Sequence, residues 1–302
     1  MSITAVILLV ISAVTHATWN FISKREHPTQ AFYLVSNTIG VICVLPILLY
    51  YWHQVHLIPQ PVWIFAVISG FFLAAYMQAL AGAYRSGDIS IVYPLARALP
   101  IIFVFCITQF LGKGNPLGGW FVLGVVLVVG GCIILPMKVL REFHILNYKN
   151  LCVLLAVLAA VGISGYTVID DIALRHLREL AGNPFGLIEG TLIYMVLEGI
   201  GCSLWQSLFV FLQSRERANL KEVLHYYKVA AATTGIGIYL TYGLVLMAMN
   251  YVTNVSYVAA FRQLSIPIGA LFGMVLLKEP RYYPKIIGVT LIFIGLILVS
   301  LG

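Results

Sequence analysis

The sequence predicts an all-α polytopic membrane protein whose ten transmembrane helices form two inverted five-helix repeats. Three observations carry that expectation. The 302 residues are 61% hydrophobic and only 10% charged, with a mean hydropathy of +0.97, whereas a soluble domain carries about 25% charged residues. The apolar stretches are each close to the ~20 residues that cross a hydrocarbon core, too long and too evenly apolar for barrel strands. The second half of the chain also repeats features of the first. The same composition excludes disordered, collagenous, coiled-coil and disulfide-rich classes.

Between polar punctuation the spans fall at 3–23, 30–52, 61–84, 90–111 and 116–137, then at 151–174, 186–212, 228–250, 254–277 and 283–301. The halves are 1–140 and 150–302. Met1 to Val14 has no basic lead-in and is followed by further spans, so it reads as a first transmembrane helix, not a cleaved signal peptide. In span 1, His16, Trp19 and Asn20 lie at i, i+3 and i+4 on one face. A stripe of imidazole, indole and amide is costly in lipid and should face the interior, as packing or as cavity lining. Tyr166 in span 6 stands where Trp19 stands in span 1.

Spans 4 and 9 each carry an arginine about two turns in. Arg97 precedes Lys113 by 16 residues, as Arg262 precedes Lys278. An ionisable side chain at such depth costs about 2.5–3.5 kcal/mol and demands a partner, water or a function. Inverted symmetry brings both arginines near the midplane, where two guanidiniums can clamp a carboxylate or phosphate through paired hydrogen bonds. The alternatives are ion pairing with Glu198, Asp170 or Asp171, and snorkelling to an interface. Gln263 stands beside Arg262 as a further polar contact. Pro94 and Pro100 flank Arg97, and Pro267 follows Arg262, so kinks are expected there.

Spans 5 and 10 share a seven-residue glycine spacing, Gly124/Gly131 and Gly288/Gly295, which lets two helices approach closely, as does Gly269/Gly273 in span 9. In span 6, Asp170-Asp171 lies near the polar end at Arg175 and reads as a solvated helix end or as a proton or cation site. Glu198 in span 7 has only apolar and small neighbours along the chain, and with His16 and Asp170 it completes the proton-coupling candidates. Glu189 starts its span and reads as wet. Tyr76, Tyr93, Tyr239, Tyr242 and Tyr257 add rings in spans 3, 4, 8 and 9; if they converge, they cage an organic cation.

The net charge of +7 belongs to membrane loops and not to nucleic-acid binding. Loops 1/2, 3/4, 5/6, 7/8 and 9/10 hold 13 of the Lys and Arg residues and the other loops three. The positive-inside rule therefore puts both termini outside. The five cysteines lack metal-ligand spacing and read as small apolar residues. Asn254-Val255-Ser256, at the lip of span 9, is a weak glycosylation triplet.

The ten-span repeat, the stretch His16-Ala17-Thr18-Trp19-Asn20, and the Lys278-Glu279-Pro280 turn leading to Gly288 and Gly295 resemble the EamA-type branch of the drug/metabolite transporter superfamily. The resemblance spans essentially the whole chain. It implies a carrier in the bacterial cytoplasmic (inner) membrane that exports a small metabolite or drug by alternating access. Superfamily members that move phosphorylated sugars place basic residues in these same two spans, which weights the expectation toward an anionic or zwitterionic substrate. The first half departs from the pattern, with Gly112-Lys113-Gly114-Asn115 where the second has its acidic turn. Members drawn with cytoplasmic termini oppose the charge count.

The expectation is thus secondary transport of a small anionic or zwitterionic metabolite: an amino acid, an organic acid, or a phosphate or phosphonate compound. The substrate-binding candidates are Arg97, Arg262, Trp19, Asn20, Tyr166, Tyr239, Tyr242 and Gln263. The alternative is export of amines, quaternary ammonium compounds or lipophilic drugs through an aromatic-lined cavity, with a channel or scramblase third. No HExxH, GxSxG or Walker A motif occurs, so an enzyme is not expected, nor a cofactor or metal. The bilayer and a small molecule are the expected partners, with a monomer as default and a homodimer as the alternative.

Overall fold

A computed structural model describes residues 2–26, 28–110, 118–140, 149–180, 185–249, 251 and 261–301. Its helices are α1 (Ile3–Arg25), α2 (Gln30–Tyr50), α3 (Gln60–Ser86), α4 (Ile89–Phe110), α5 (Gly119–Ile134), α6 (Leu151–Arg178), α7 (Leu187–Leu212), α8 (Ser214–Glu222), α9 (Lys228–Met249), α10 (Ser265–Leu276) and α11 (Tyr283–Leu301). No strand occurs among the described residues. Five helices, α1, α2, α3, α6 and α7, are long and apolar enough to cross a membrane, and shorter apolar helices accompany them. The start of the ninth predicted span, Asn254 to Ser256, Tyr257 and the Gly112 to Asn115 turn lie outside the described residues.

The helices are amphipathic in a sense suited to lipid. On α1, Ile3, Ile7, Ile11 and Val14 are exposed, while Ala5, Leu9, Ser12, Ala13, Ala17, Trp19 and Asn20 are buried. Large apolar side chains line the outside of every long helix, a surface far beyond the apolar patches a water-soluble monomer tolerates. Polar and small residues turn inward because an interior hydrogen bond is available there and none is available in hydrocarbon. This makes the chain an integral multi-pass membrane protein.

The dominant helix contacts are α3 with α6 and α1 with α9; α3 with α7 and α2 with α9; α4 with α6 and α1 with α10; then α5 with α11, α2 with α7 and α4 with α10. Exchanging α1 for α6, α2 for α7, α3 for α9, α4 for α10 and α5 for α11 turns this set into itself. The α5–α11 contact shows why. A Cβ on Gly124 would stand 2.7 Å from Gly295 O, and one on Gly131 would stand 2.8 Å from Gly288 O. The pairing runs in opposite chain directions, so the two helices are antiparallel and their backbones touch at both glycine pairs. We expect Gly131→Val to destabilise the protein by about 1–3 kcal/mol, because the methyls meet backbone that cannot yield. A melting curve in detergent measures it, and an unchanged midpoint would refute the contact.

One end of the bundle collects the basic loops. Lys24 Nζ donates to Tyr84 O and Gly87 O, and Arg85 donates to Pro28 O. Lys285, whose side chain is fully buried, donates to Asp88 Oδ2 at 2.8 Å and to Pro280 O at 2.9 Å. The Lys278-Glu279-Pro280 turn has a specific task at this end. Lys278 takes a positive φ of 56°, a left-handed exit from α10 that a non-glycine residue seldom adopts. The chain then returns Glu279 so that its carboxylate accepts Ile89 N at 2.7 Å, Ser90 N at 3.1 Å and Ser90 Oγ at 2.5 Å. Those amides are the unpaired donors at the start of α4, so a residue of the second half caps a helix of the first. Glu216 of α8 does the same for α2, accepting Ala31 N at 3.0 Å.

Candidate functional site

The inner face of α1 is organised by hydrogen bonds from three neighbours along and across the bundle. Asn20 Nδ2 donates to His16 O at 2.8 Å, and Tyr84 of α3 donates to Asn20 Oδ1 at 2.7 Å. Tyr93 of α4 places its hydroxyl 2.7 Å from His16 Nδ1, and Asn20 Nδ2 lies 3.2 Å from the same nitrogen. The His16 ring centroid is 5.0 Å from that of Trp19 and 5.8 Å from that of Tyr93. Gly269 makes room for Tyr93, since a Cβ there would come within 2.6 Å of the ring.

Arg97 follows Tyr93 by one helical turn, and Arg262 stands just before α10, which packs on α4. The charge of Arg97 acts on Arg262, and both guanidiniums act on His16, Tyr93 and Tyr166. Among the described residues, neither arginine has a carboxylate within salt-bridge distance. Three buried polar atoms here take no hydrogen-bond partner among the described residues: Arg97 Nε, Trp19 Nε1 and Gln263 Oε1. Unpaired polar atoms in an interior cost about 1–3 kcal/mol each. Two are donors, which suits an incoming acceptor.

A second group lies where α3, α6 and α7 meet. Ser69 Oγ is 2.5 Å from Asp170 Oδ1 and 3.1 Å from Glu198 Oε1, and Tyr194 donates to Asp170 Oδ1 at 2.9 Å. A serine hydroxyl carries one proton to donate. Given to Asp170 at the shorter contact, it leaves the Glu198 contact to be made by a carboxyl proton. The geometry therefore suits two acids that hold one proton between them. Tyr166 and Tyr242 feel the charges of both acids and of Arg262, so the two groups flank a shared aromatic region.

The structure sorts the predicted residues. His16, Trp19, Asn20, Arg97, Arg262 and Tyr166 come together; Tyr166 stands 6.2 Å from Tyr76, ring to ring. Tyr239 lies beside Tyr242 and feels the charge of Glu198, and its hydroxyl is tied to α2. It packs on Gly40 and Gly199 and donates to Asn37 Oδ1 at 3.0 Å, fastening α9 to α2. Of the two adjacent acids, Asp171 is the solvated one, bound to Arg175 at 2.8 Å, whereas Asp170 turns inward. Helical geometry separates consecutive side chains by ~100°, which is enough to send one out and one in. Sequence reasoning missed Ser69, Tyr84 and Tyr194 as partners. Ser69 offers no signal beyond a lone hydroxyl in an apolar helix; Tyr93 and Arg97, at i and i+4, share a face and could have been coupled. A surface groove lined by Ile58, Gln60, Trp63, Ile64, Val67 and Ile68 includes none of these residues.

A multi-pass bundle that keeps two arginines and two acids among its apolar helices has the kind of interior charge that marks a functional site in membrane proteins such as transporters. The model of the EamA-like transporter family matches residues 150–301, so the chain belongs to that family, a branch of the drug/metabolite transporters. A solved structure described only as "Crystal structure of protein" aligns with a TM-score of 0.50 at 18% identity, over 98% of this chain and 96% of its own. At that identity the likeness concerns the fold. No curated protein matches the sequence.

Proposed function

We propose that this protein is a secondary active carrier, working by alternating access, that exports a small anionic or zwitterionic metabolite. The observation that carries this reading is the pair Arg97 and Arg262, half-buried and without a carboxylate partner among the described residues, with unpaired donors on Trp19 and on Arg97 itself. Two uncompensated guanidiniums repel one another, and an oxyanion accepting from both relieves that repulsion. The exchange symmetry of the helix contacts supports two inverted five-helix halves, 1–140 and 150–302, hinged about the α5–α11 glycine contact. The basic end is assigned to the cytoplasm, with the termini outside and the protein in a bacterial inner membrane, as a monomer. Asp170 and Glu198 are assigned the coupling proton.

The acids next to Tyr166 and Tyr242 favour one competing reading, an exporter of organic cations. Thermal stabilisation of the detergent-solubilised protein separates the two, since a ligand of the folded state raises the melting point by mass action. A panel of amino acids, organic acids, phosphorylated compounds, phosphonates and quaternary amines is expected to give its hits among the anions and zwitterions. Hits confined to cations would overturn the proposal and install its competitor.

A further inference from the structure

We infer that His16 serves the substrate as a neutral hydrogen-bond donor, protonated at Nε2, and is a binding residue for the oxyanion in place of a proton carrier. The inference rests on the arginine-pair reading and adds a third donor to it. Its basis is the hydrogen-bond inventory around the ring. The amide of Asn20 has a fixed orientation: Nδ2 donates to His16 O at 2.8 Å, and Oδ1 accepts from Tyr84 at 2.7 Å. A flipped amide would set its oxygen against the His16 carbonyl. The remaining proton of Asn20 Nδ2 lies beside His16 Nδ1, 3.2 Å away, where a lone pair on that nitrogen meets it better than a second N–H would.

Tyr93, with its hydroxyl 2.7 Å from the same nitrogen, has an acceptor there for its own proton. A neutral imidazole with a lone pair on Nδ1 carries its proton on Nε2. A second proton would add a third positive charge beside two guanidiniums. The charged groups acting on His16 are Arg97 from α4 and Arg262 from the lead-in to α10. The titratable groups bonded into its network are Tyr93 of α4 and, through Asn20, Tyr84 of α3. From α9, the contacts made with α1 include the neutral backbone of Gly237 at Trp19 and of Thr241 at Ser12. No carboxylate is among the groups acting on it.

Nε2 has no hydrogen-bond partner among the described residues, and the ring is only half-buried. The Trp19 and Arg97 N–H groups are unpaired too, and both guanidiniums act on the ring, so a donor at Nε2 adds to theirs. A neutral donor suits this place: it adds a hydrogen bond without adding a third repelling charge.

Two substitutions separate the nitrogens. His16→Gln keeps an N–H at the position of Nε2, whereas His16→Asn keeps an acceptor for Tyr93 and Asn20 but has no donor at that reach. With inorganic phosphate and succinate as probes in thermal stabilisation, we expect H16Q to bind within about threefold of the parent and H16N to bind about tenfold more weakly, the loss of one charge-assisted hydrogen bond. Nitrogen-15 NMR of histidine-labelled protein, with the His16 signals assigned by their loss in H16Q, should show an unprotonated Nδ1 and a protonated Nε2. That pattern should persist between about pH 5.5 and 8, where a free imidazole titrates.

Titration of His16 in that range, or an Nδ1–H signature, overturns the inference. So does H16N binding like the parent while Arg97→Ala and Arg262→Ala fail to bind, an outcome that leaves the arginine reading standing. Probes that bind the parent and both arginine variants alike defeat the arginine reading and the inference with it.

Discussion

Replacing either Arg97 or Arg262 with alanine is expected to lower substrate counterflow in proteoliposomes by about 100-fold, with no loss of folding stability. The first half of that expectation follows from the chemistry of the clamp. A bidentate guanidinium–oxyanion contact is worth about 2–3 kcal/mol or more, and each ~1.4 kcal/mol is a factor of ten. The second half follows from what the arginines lack. Breaking an internal ion pair strands a buried charge and costs about 3–5 kcal/mol, but no carboxylate lies within salt-bridge distance of either guanidinium among the described residues. Removing one of two mutually repelling charges strands nothing, so the melting temperature should hold or rise. Arginine-to-lysine variants should fall between, since the ammonium keeps the charge but not the fork. Variants that melt several degrees lower yet still transport would make these residues scaffold.

The sequence announces much of this arrangement where the signal is local or repeated. The glycine spacings shared by Gly124/Gly131 and Gly288/Gly295 reappear as the two backbone contacts of α5 with α11. Arg97 and Arg262 stand at matching depths in the sequence, and in the structure the charge of one acts on the other. Features that depend on helix rotation stay hidden. Tyr239 and Tyr242 lie three residues apart in one apolar run and both feel the charge of Glu198, yet it is Tyr239 whose hydroxyl fastens α9 to α2 through Asn37. Nothing in their immediate neighbours distinguishes them, because rotation is set by packing against other helices. Glu279 reads as part of a turn, and its role in capping α4 is invisible at a separation of 190 residues. The polar helix α8 escapes notice for the opposite reason, since a search for apolar runs passes over Ser214–Glu222.

The acid pair supports the second large effect, expected in the coupling and not in the substrate contact. Glu198→Gln should abolish accumulation driven by a pH gradient while preserving substrate counterflow within a few-fold. Glutamine is the closest neutral copy of the protonated acid: its amide can donate to Ser69 as the carboxyl proton does, so the 3.1 Å contact survives but no proton can leave. A carrier fixed in that protonated form can still exchange substrate for substrate, because exchange needs no net proton movement. Stability should not suffer, as an amide in place of an acid removes the risk of an unpaired buried charge. Ser69→Ala supplies the control. It leaves both acids but takes away the hydroxyl between them, so one donor to Asp170 remains, the 2.9 Å bond from Tyr194. Coupling should then weaken without being lost, since the proton still has two carboxyls to occupy. If Glu198→Gln accumulates substrate against a gradient as the parent does, the acids are structural and the energy source lies elsewhere. If it loses counterflow as well, Glu198 touches the substrate and the organic-cation reading gains the residue it requires.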